Sequence, residues 1–316
     1  MPSDETMVFL EKKNNKYGLK NNSGKTIIPP IYDQLINVYS DHIWALDDKT
    51  WKIINLDNQE IFRLETGSPC GFFNGISMIY ENGKHGFITY QGNWICKPVY
   101  EDALNFFKEV TFVKKNELWA LISSKGVLLT GFDLEKFEFL DDEKLCVKKH
   151  DGWFEMDFSG EILNKLEYDA IECFEETDKG FLKVRKNGRW GIVDIHWKTI
   201  CSFKFLSLGT CSEKGFAAAE NIRCKFGFVD KYGTTVIPFK YDFASSFFNG
   251  IGIIMQNDKY GAVSAKGQIV IPLAYDLLLD EWAQIYAEKD GYYFYIAHNG
   301  VFMPELMVDE IDNYQI

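Results

Sequence analysis

Carboxylates are the residues in this chain whose number and spacing could do chemistry. Six acids (Asp133, Glu135, Glu138, Asp141, Asp142 and Glu143) are interleaved with Leu134, Phe137, Phe139 and Leu140, and a second group follows at Glu172, Glu175, Glu176 and Asp178. Dense carboxylates create a negative field that steers a cationic partner, and interleaved phenylalanines offer that partner an apolar anchor. Glu135, Glu138, Asp141, Asp142, Glu143, Glu172, Glu175 and Glu176 are therefore the candidate partner-binding residues. The competing reading is a solvated face that keeps the protein soluble.

Other chemistries lack their residues. The five histidines (His42, His85, His150, His196, His298) lie far apart, with no H-E-x-x-H pair to hold zinc. Cys70, Cys96, Cys146, Cys173, Cys201, Cys211 and Cys224 form no C-x-x-C pair. Neither a phosphate-cradling G-x-x-x-x-G-K-[ST] loop nor a G-x-S-x-G nucleophile elbow occurs. No catalytic, cofactor-binding or metal-ligating residue is assigned, although a Cys–His dyad could still assemble in space.

The balance of the whole chain agrees with a cationic partner. Over 316 residues, 46 acids against 34 bases give a net charge of −12, which repels nucleic acid and anionic membranes. No apolar run approaches the ~18 residues of a membrane span. The N-terminus, MPSDETMVFL, lacks the basic and apolar regions of a secretory signal. An odd number of scattered cysteines fits reduced thiols, so the expected compartment is the cytoplasm.

These residues are carried by a repeat. Large rings recur at Tyr17, Trp51, Trp119, Trp153, Trp190, Phe226, Tyr260 and Tyr293, with His85 in phase, at steps of 33 to 37 residues. Seven places after each anchor stands Gly24, Gly92, Gly126, Gly160, Gly233, Gly267 or Gly300, with Asn58 and Trp197 as exceptions. Immediately after it come Gly18, Gly86, Gly191, Gly227 and Gly261. Fifteen places on are Tyr32, Tyr100, Tyr168, Tyr241 and Tyr275, each followed by an acid: Asp33, Glu101, Asp169, Asp242 and Asp276. Because the Tyr–acid pair obeys the period, it reads as structural, the acid accepting backbone N–H groups of a turn.

Each unit reads as a three-stranded meander and a connector. Around Tyr260, alternation at Ile251, Ile253 and Met255 makes a first strand, and Asn257-Asp258 a tight turn. Asn82-Gly83, Asp151-Gly152, Asn187-Gly188 and Asp290-Gly291 fill that turn elsewhere, and accept the positive φ of a type I′ hairpin. The third strand is expected to stop at proline (Pro29, Pro98, Pro238, Pro272), which cannot donate to a ladder. A lone meander cannot bury its apolar face, so neighbours must stack, with the anchor rings as the main filling. The expected fold is all-β: nine tandem antiparallel β-meander repeats of about 34 residues in an open curved superhelix, as one array over residues 1–316, with a closed propeller-like toroid as the alternative.

Lys16-Tyr17-Gly18-Leu19, Arg189-Trp190-Gly191-Ile192-Val193-Asp194, Lys225-Phe226-Gly227-Phe228-Val229-Asp230 and Lys259-Tyr260-Gly261-Ala262-Val263 resemble the signature of the WG (KWG) β-repeat proteins. The segments Ile28-Pro29…Tyr32-Asp33 and Ile237-Pro238…Tyr241-Asp242 are similar to that family too. Only Trp190-Gly191 is a literal W-G; Trp51-Lys52, Trp119-Ala120 and Trp153-Phe154 depart from it. The resemblance, over roughly residues 7–304, implies a bacterial all-β repeat protein and supplies no catalytic residues.

Function then reads as a non-enzymatic protein-interaction module, a scaffold or a cytosolic inhibitor or immunity-like binder of a basic protein, with no cofactor. Two other readings stay open: a carbohydrate-binding repeat protein, whose exposed rings stack on sugars, and an enzyme with a site assembled across repeats.

Overall fold

Two-residue turns with both φ angles positive set the geometry of the hairpins. Asn14-Asn15, Asp48-Lys49, Asn82-Gly83, Asn116-Glu117, Asn187-Gly188, Asn257-Asp258 and Asp290-Gly291 all have that geometry, whose twist matches the flanking strands. Asp151-Gly152 departs from it, since only Gly152 is positive, at φ 136°. The structure, a computed structural model, describes residues 8–301 and 303, except 39–40, 175–179, 213–214 and 282–283.

The described chain is all-β and arranged in nine antiparallel sheets of three or four strands, one per repeat. It divides into two compact units, residues 1–136 with 158–161, and residues 137–157 with 162–316. Sheets are numbered below in chain order. The first runs from Val8–Lys13 through Lys16–Asn21 to Thr26–Tyr32, and the fifth holds Lys136–Phe139, Lys144–Lys149, Gly152–Asp157 and Ile162–Leu166. Within each unit, sheets pack face to face; Leu19 and Ile28 of the first sheet meet Ile43, Ala45 and Ile54 of the second.

The glycine column seven places past the anchor is a column of left-handed backbone. All seven glycines have φ between 74° and 88°, and the exceptions Asn58 and Trp197 share it at 59° and 64°. The position also abuts the preceding sheet: a Cβ at Gly126 would lie 2.6 Å from the Ile95 carbonyl oxygen.

Three expectations need correction. First, the connector is not merely a link. In six of the nine sheets a segment of two to six residues before the meander pairs with it as a fourth strand, as Ser68–Phe73 does in the third sheet; in the fourth and ninth sheets the segments Asp102–Ala103 and Leu277–Glu281 instead make up the count of three.

Second, proline does not end the third strand. Thr26–Tyr32 and Ile269–Tyr275 run through Pro29 and Pro272. The register slips there: Tyr17 faces Tyr32 while Leu19 faces Ile28, so the third strand spends four residues where the second spends two. The same bulge follows His85, Trp190, Phe226 and Tyr260. Proline occupies a place in the bulge where no ladder donor is required. These five sheets are the ones with glycine after the anchor, because the bulge crosses over it; a Cβ on Gly18 would meet the Ile28 carbonyl oxygen at 2.4 Å.

Third, the anchor rings are not the main core filling. Trp153 is 3% exposed, but Tyr17, Trp51, Trp119, Trp190, Phe226 and Tyr260 are half-buried and Tyr293 is exposed. An anchor lies next to the hairpin end, whereas the deepest burial falls mid-strand, at Leu19, Ile53, Leu121, Ile192 and Phe228 two places later. Cross-strand cations also lie over the anchor faces: Lys12 over Tyr17, Lys114 over Trp119 and Arg185 over Trp190, at 5.1 to 5.8 Å.

Candidate functional site

The periodic acids prove to be staples. Asp33 follows the last strand of the first sheet, accepts Lys16 Nζ at 2.6 Å from its own sheet and the Asp48 backbone N–H at 3.2 Å from the next sheet's turn. Asp242 joins Lys225 to the Asn257 N–H, and Asp276 joins Lys259 to the Asp290 N–H, in the same way. Their lysine partners first, and the turn N–H groups after them, hold the Asp33, Asp242 and Asp276 carboxyls below the ordinary range.

The acids outside the period gather in the fifth and sixth sheets. Lys136–Phe139 carries Glu138, and the turn after it carries Asp141, Asp142 and Glu143. Asp141 Oδ1 accepts the backbone N–H groups of Glu143 and Lys144, at 2.7 and 2.8 Å, so its role is to close that turn. The turn so closed presents Asp142 and Glu143 in exposed positions. Glu138 Oε2 receives the Cys173 thiol at 3.2 Å from the sixth sheet, which brings Glu138 beside the strand that carries Glu172. Glu172, beside Cys173, is exposed and pairs with Lys183 Nζ at 2.8 Å. Glu135 is half-buried, and Glu175 and Glu176 lie outside the described residues.

The residue that sequence reasoning missed is Glu155. Two places after the anchor, seven other units hold Leu19, Ile53, Phe87, Leu121, Ile192, Phe228 and Ala262, all 0–1% exposed, and the ninth holds half-buried Tyr295, yet here a carboxylate sits 3% exposed. It accepts Lys144 Nζ at 3.0 Å and Asn164 Nδ2 at 2.6 Å. The buried Trp197 indole N–H leans on the same carboxylate without reaching bonding geometry. Burial pushes the Glu155 carboxyl up, but the bonds from Asn164 and Lys144 outweigh it and leave it below the ordinary glutamate value. Asn164 stands in a column held elsewhere by Ile28, Ile237 and Ile271, and Trp197 in the glycine column. The signal was present in those columns, but only the register shows that the breaks converge.

The arrangement is therefore layered. Exposed acids on one turn lead through Lys144, the next residue, to a buried carboxylate between the fifth and sixth sheets. Buried Lys183 repeats the theme one sheet on, held by Glu172 and by the Leu208 carbonyl oxygen at 3.2 Å. Such a site can attract and orient a cation. Among the described residues, no group of three or more His, Cys, Asp or Glu side chains has an arrangement that could hold a metal ion.

Residues 17–51, 86–119, 156–190 and 226–260 each match the family described as WG containing repeat. No curated protein matches the chain. Among solved structures, the chain is similar to a eukaryotic initiation factor at 10% identity and TM-score 0.42, covering 94% of this chain and 96% of that one. It is also similar to Sqt1 of Saccharomyces cerevisiae (14% identity, TM-score 0.36, 82% and 92% covered) and to the dihydro-heme d1 dehydrogenase NirN (11% identity, TM-score 0.38, 86% and 76% covered). Likenesses this weak carry no argument about ligands or activity.

Proposed function

The chain is a WG-repeat protein, and on that premise we propose that it is a non-enzymatic cytoplasmic interaction module whose central acidic turn docks a basic protein partner. One observation carries the reading: the Glu138–Cys173 contact brings the acidic turn of the fifth sheet beside Glu172 of the sixth, and Asp142, Glu143 and Glu172 are exposed. Charge of one sign concentrated on one surface accelerates and orients encounter with its opposite. An odd number of scattered cysteines, with no C-x-x-C pair, supports a reducing compartment. The sugar-binding alternative is weakened, because lysine and arginine side chains lie over the anchor faces that a sugar would need.

The test spares Asp141, whose loss would open the turn. Tagged wild type and Asp142→Lys/Glu143→Lys are used to capture partners from source cells, with thermal melting as the fold control. A basic protein held by the wild type and lost from the variant at unchanged melting supports the reading. Equal capture of every basic protein overturns it.

A further inference from the structure

The ninth sheet, Leu277–Glu281, Gln284–Lys289 and Tyr292–Ile296, differs from the others on one face. Its inner face packs on the eighth through Leu278, Ile285, Ala287 and Ile296, all 0–2% exposed. Its outer face carries tyrosine in three columns: Tyr286 seven places before the anchor, Tyr293 at the anchor, and Tyr295 two places after. The fifth sheet turns these same columns, as Cys146, Trp153 and Glu155, toward the sixth; on the ninth, Tyr293 is exposed and Leu279, beside Tyr286, is 48% exposed.

The three rings form one platform. Tyr286 and Tyr293 are stacked, with centroids 5.9 Å apart and planes 18° apart, and Tyr295 stands edge-on to Tyr286 at 5.7 Å. Two carboxylates share the face, since Glu288 pairs across the ladder with Tyr293, and Glu281 lies two places from Leu279. Burial, with smaller contributions from the neighbouring tyrosines, Glu288 and Glu281, pushes the Tyr286 hydroxyl up, which places both acids within electrostatic reach of the platform.

Comparison with other anchors shows what kind of group fits. Opposite Tyr17, Trp119 and Trp190 the register places Lys12, Lys114 and Arg185, each over its ring. Opposite Tyr293 it places Glu288, so this ring has an acid where those have a cation. We propose that the outer face of the ninth sheet binds an arginine side chain of a basic protein, its guanidinium lying on the Tyr286–Tyr293 platform and pairing with Glu281 and Glu288. A guanidinium is flat, weakly hydrated and forked, so it stacks on a ring and meets a carboxylate at once. Phosphate-bearing ligands are repelled by the two acids, and a neutral sugar makes no use of their charge. The proposal shares with the preceding section the premise of a basic partner, but not its surface.

The test is binding of a fluorescent nona-arginine peptide to the full chain, read by anisotropy. Tyr293→Leu leaves net charge unchanged, so non-specific attraction to an acidic protein persists while the platform is lost. The expected result is affinity weakened about tenfold, the size of one partly desolvated cation–π contact, with Tyr293→Phe retaining affinity. Nona-lysine should bind more weakly than nona-arginine. Unchanged affinity in Tyr293→Leu overturns the proposal, as does equal affinity for both peptides. Binding of a neutral glycan, or self-association, that Tyr293→Leu abolishes while peptide affinity stays intact overturns it too. Loss only in Asp142→Lys/Glu143→Lys keeps the central turn and rejects this face; loss only in Tyr293→Leu does the reverse. Tyr293 is already 38% exposed, so the substitution leaves the fold in place.

Discussion

The seventh and fifth sheets solve the same packing problem in opposite ways. In the seventh, Gly227 follows the anchor, the third strand bulges over it, and Phe228 fills the core. In the fifth, Phe154 follows the anchor and pairing runs straight past it, with Trp153 facing Leu166, Phe154 facing Lys165 and Glu155 facing Asn164, and slips only before Met156. A side chain replaces the glycine where nothing crosses over it, and polar groups replace apolar ones where they can satisfy each other. The period thus tolerates a departure only when neighbouring columns depart together. The fifth sheet also bears the exposed acidic turn, so irregularity and the candidate site coincide.

The largest expected effect comes from transplanting one departure without its companions. Phe228→Glu puts a carboxylate in the seventh sheet's fully buried column with only Ala218 and Ile237 opposite, and should cost on the order of 4 kcal/mol in chemical denaturation. Stability equal to wild type would show that the column does not demand apolar residues.

Next is Gly227→Ala, whose Cβ would stand 2.6 Å from the Ile237 carbonyl oxygen and must push the bulge aside, costing about 2–3 kcal/mol. Phe154→Ala, where no bulge crosses over the residue after the anchor, should not meet such a clash. Comparable losses assigned to backbone displacement in both sheets would erase the distinction between them.

Glu155→Gln should cost about 2 kcal/mol, since Asn164 keeps an acceptor but Lys144 loses its charged partner. Replacing Lys144, Glu155 and Asn164 together with leucine restores the column and should be neutral or stabilising. A triple variant less stable than Glu155→Gln would show that the network holds the two sheets together rather than merely fitting between them.

The smallest effect is at the staples. The Asp33, Asp242 and Asp276 carboxyls titrate below their ordinary value in the folded chain, so what they contribute is fully present above that value, near pH 4, and declines as pH falls through the folded pKa. Asp276→Asn should lower the melting temperature less than Glu155→Gln does at pH 7, and the difference from wild type should shrink below pH 4. A difference that grows on acidification would contradict the stapling role.

Much of the fold was legible in advance because it rests on local backbone rules. Positive φ at two-residue turns and at the glycine column follows from residue type, and Asn58 and Trp197 obey the rule that glycine marks. The fourth strand was legible too, and was missed: Asn74-Gly75 and Asn249-Gly250 have positive φ and join the connector strand to the meander in the two FFNGI segments. The bulge was not read from Pro29 or Pro238, since a missing donor signals a strand end and a bulge equally. Of the candidate acids, the period put Glu138 and Glu172 on neighbouring sheets, but did not show that Asp141 would close a turn while Asp142 and Glu143 are exposed.

Sequence alone determined the number of units, their phase and their hairpins, because spacing and φ preference act within a few residues of the chain. Only tertiary structure decided how deep each ring lies and which broken columns meet. Those outcomes depend on cross-strand register and on the neighbouring sheet's face, as when Lys144, Glu155, Asn164 and Trp197 converge from four separate stretches.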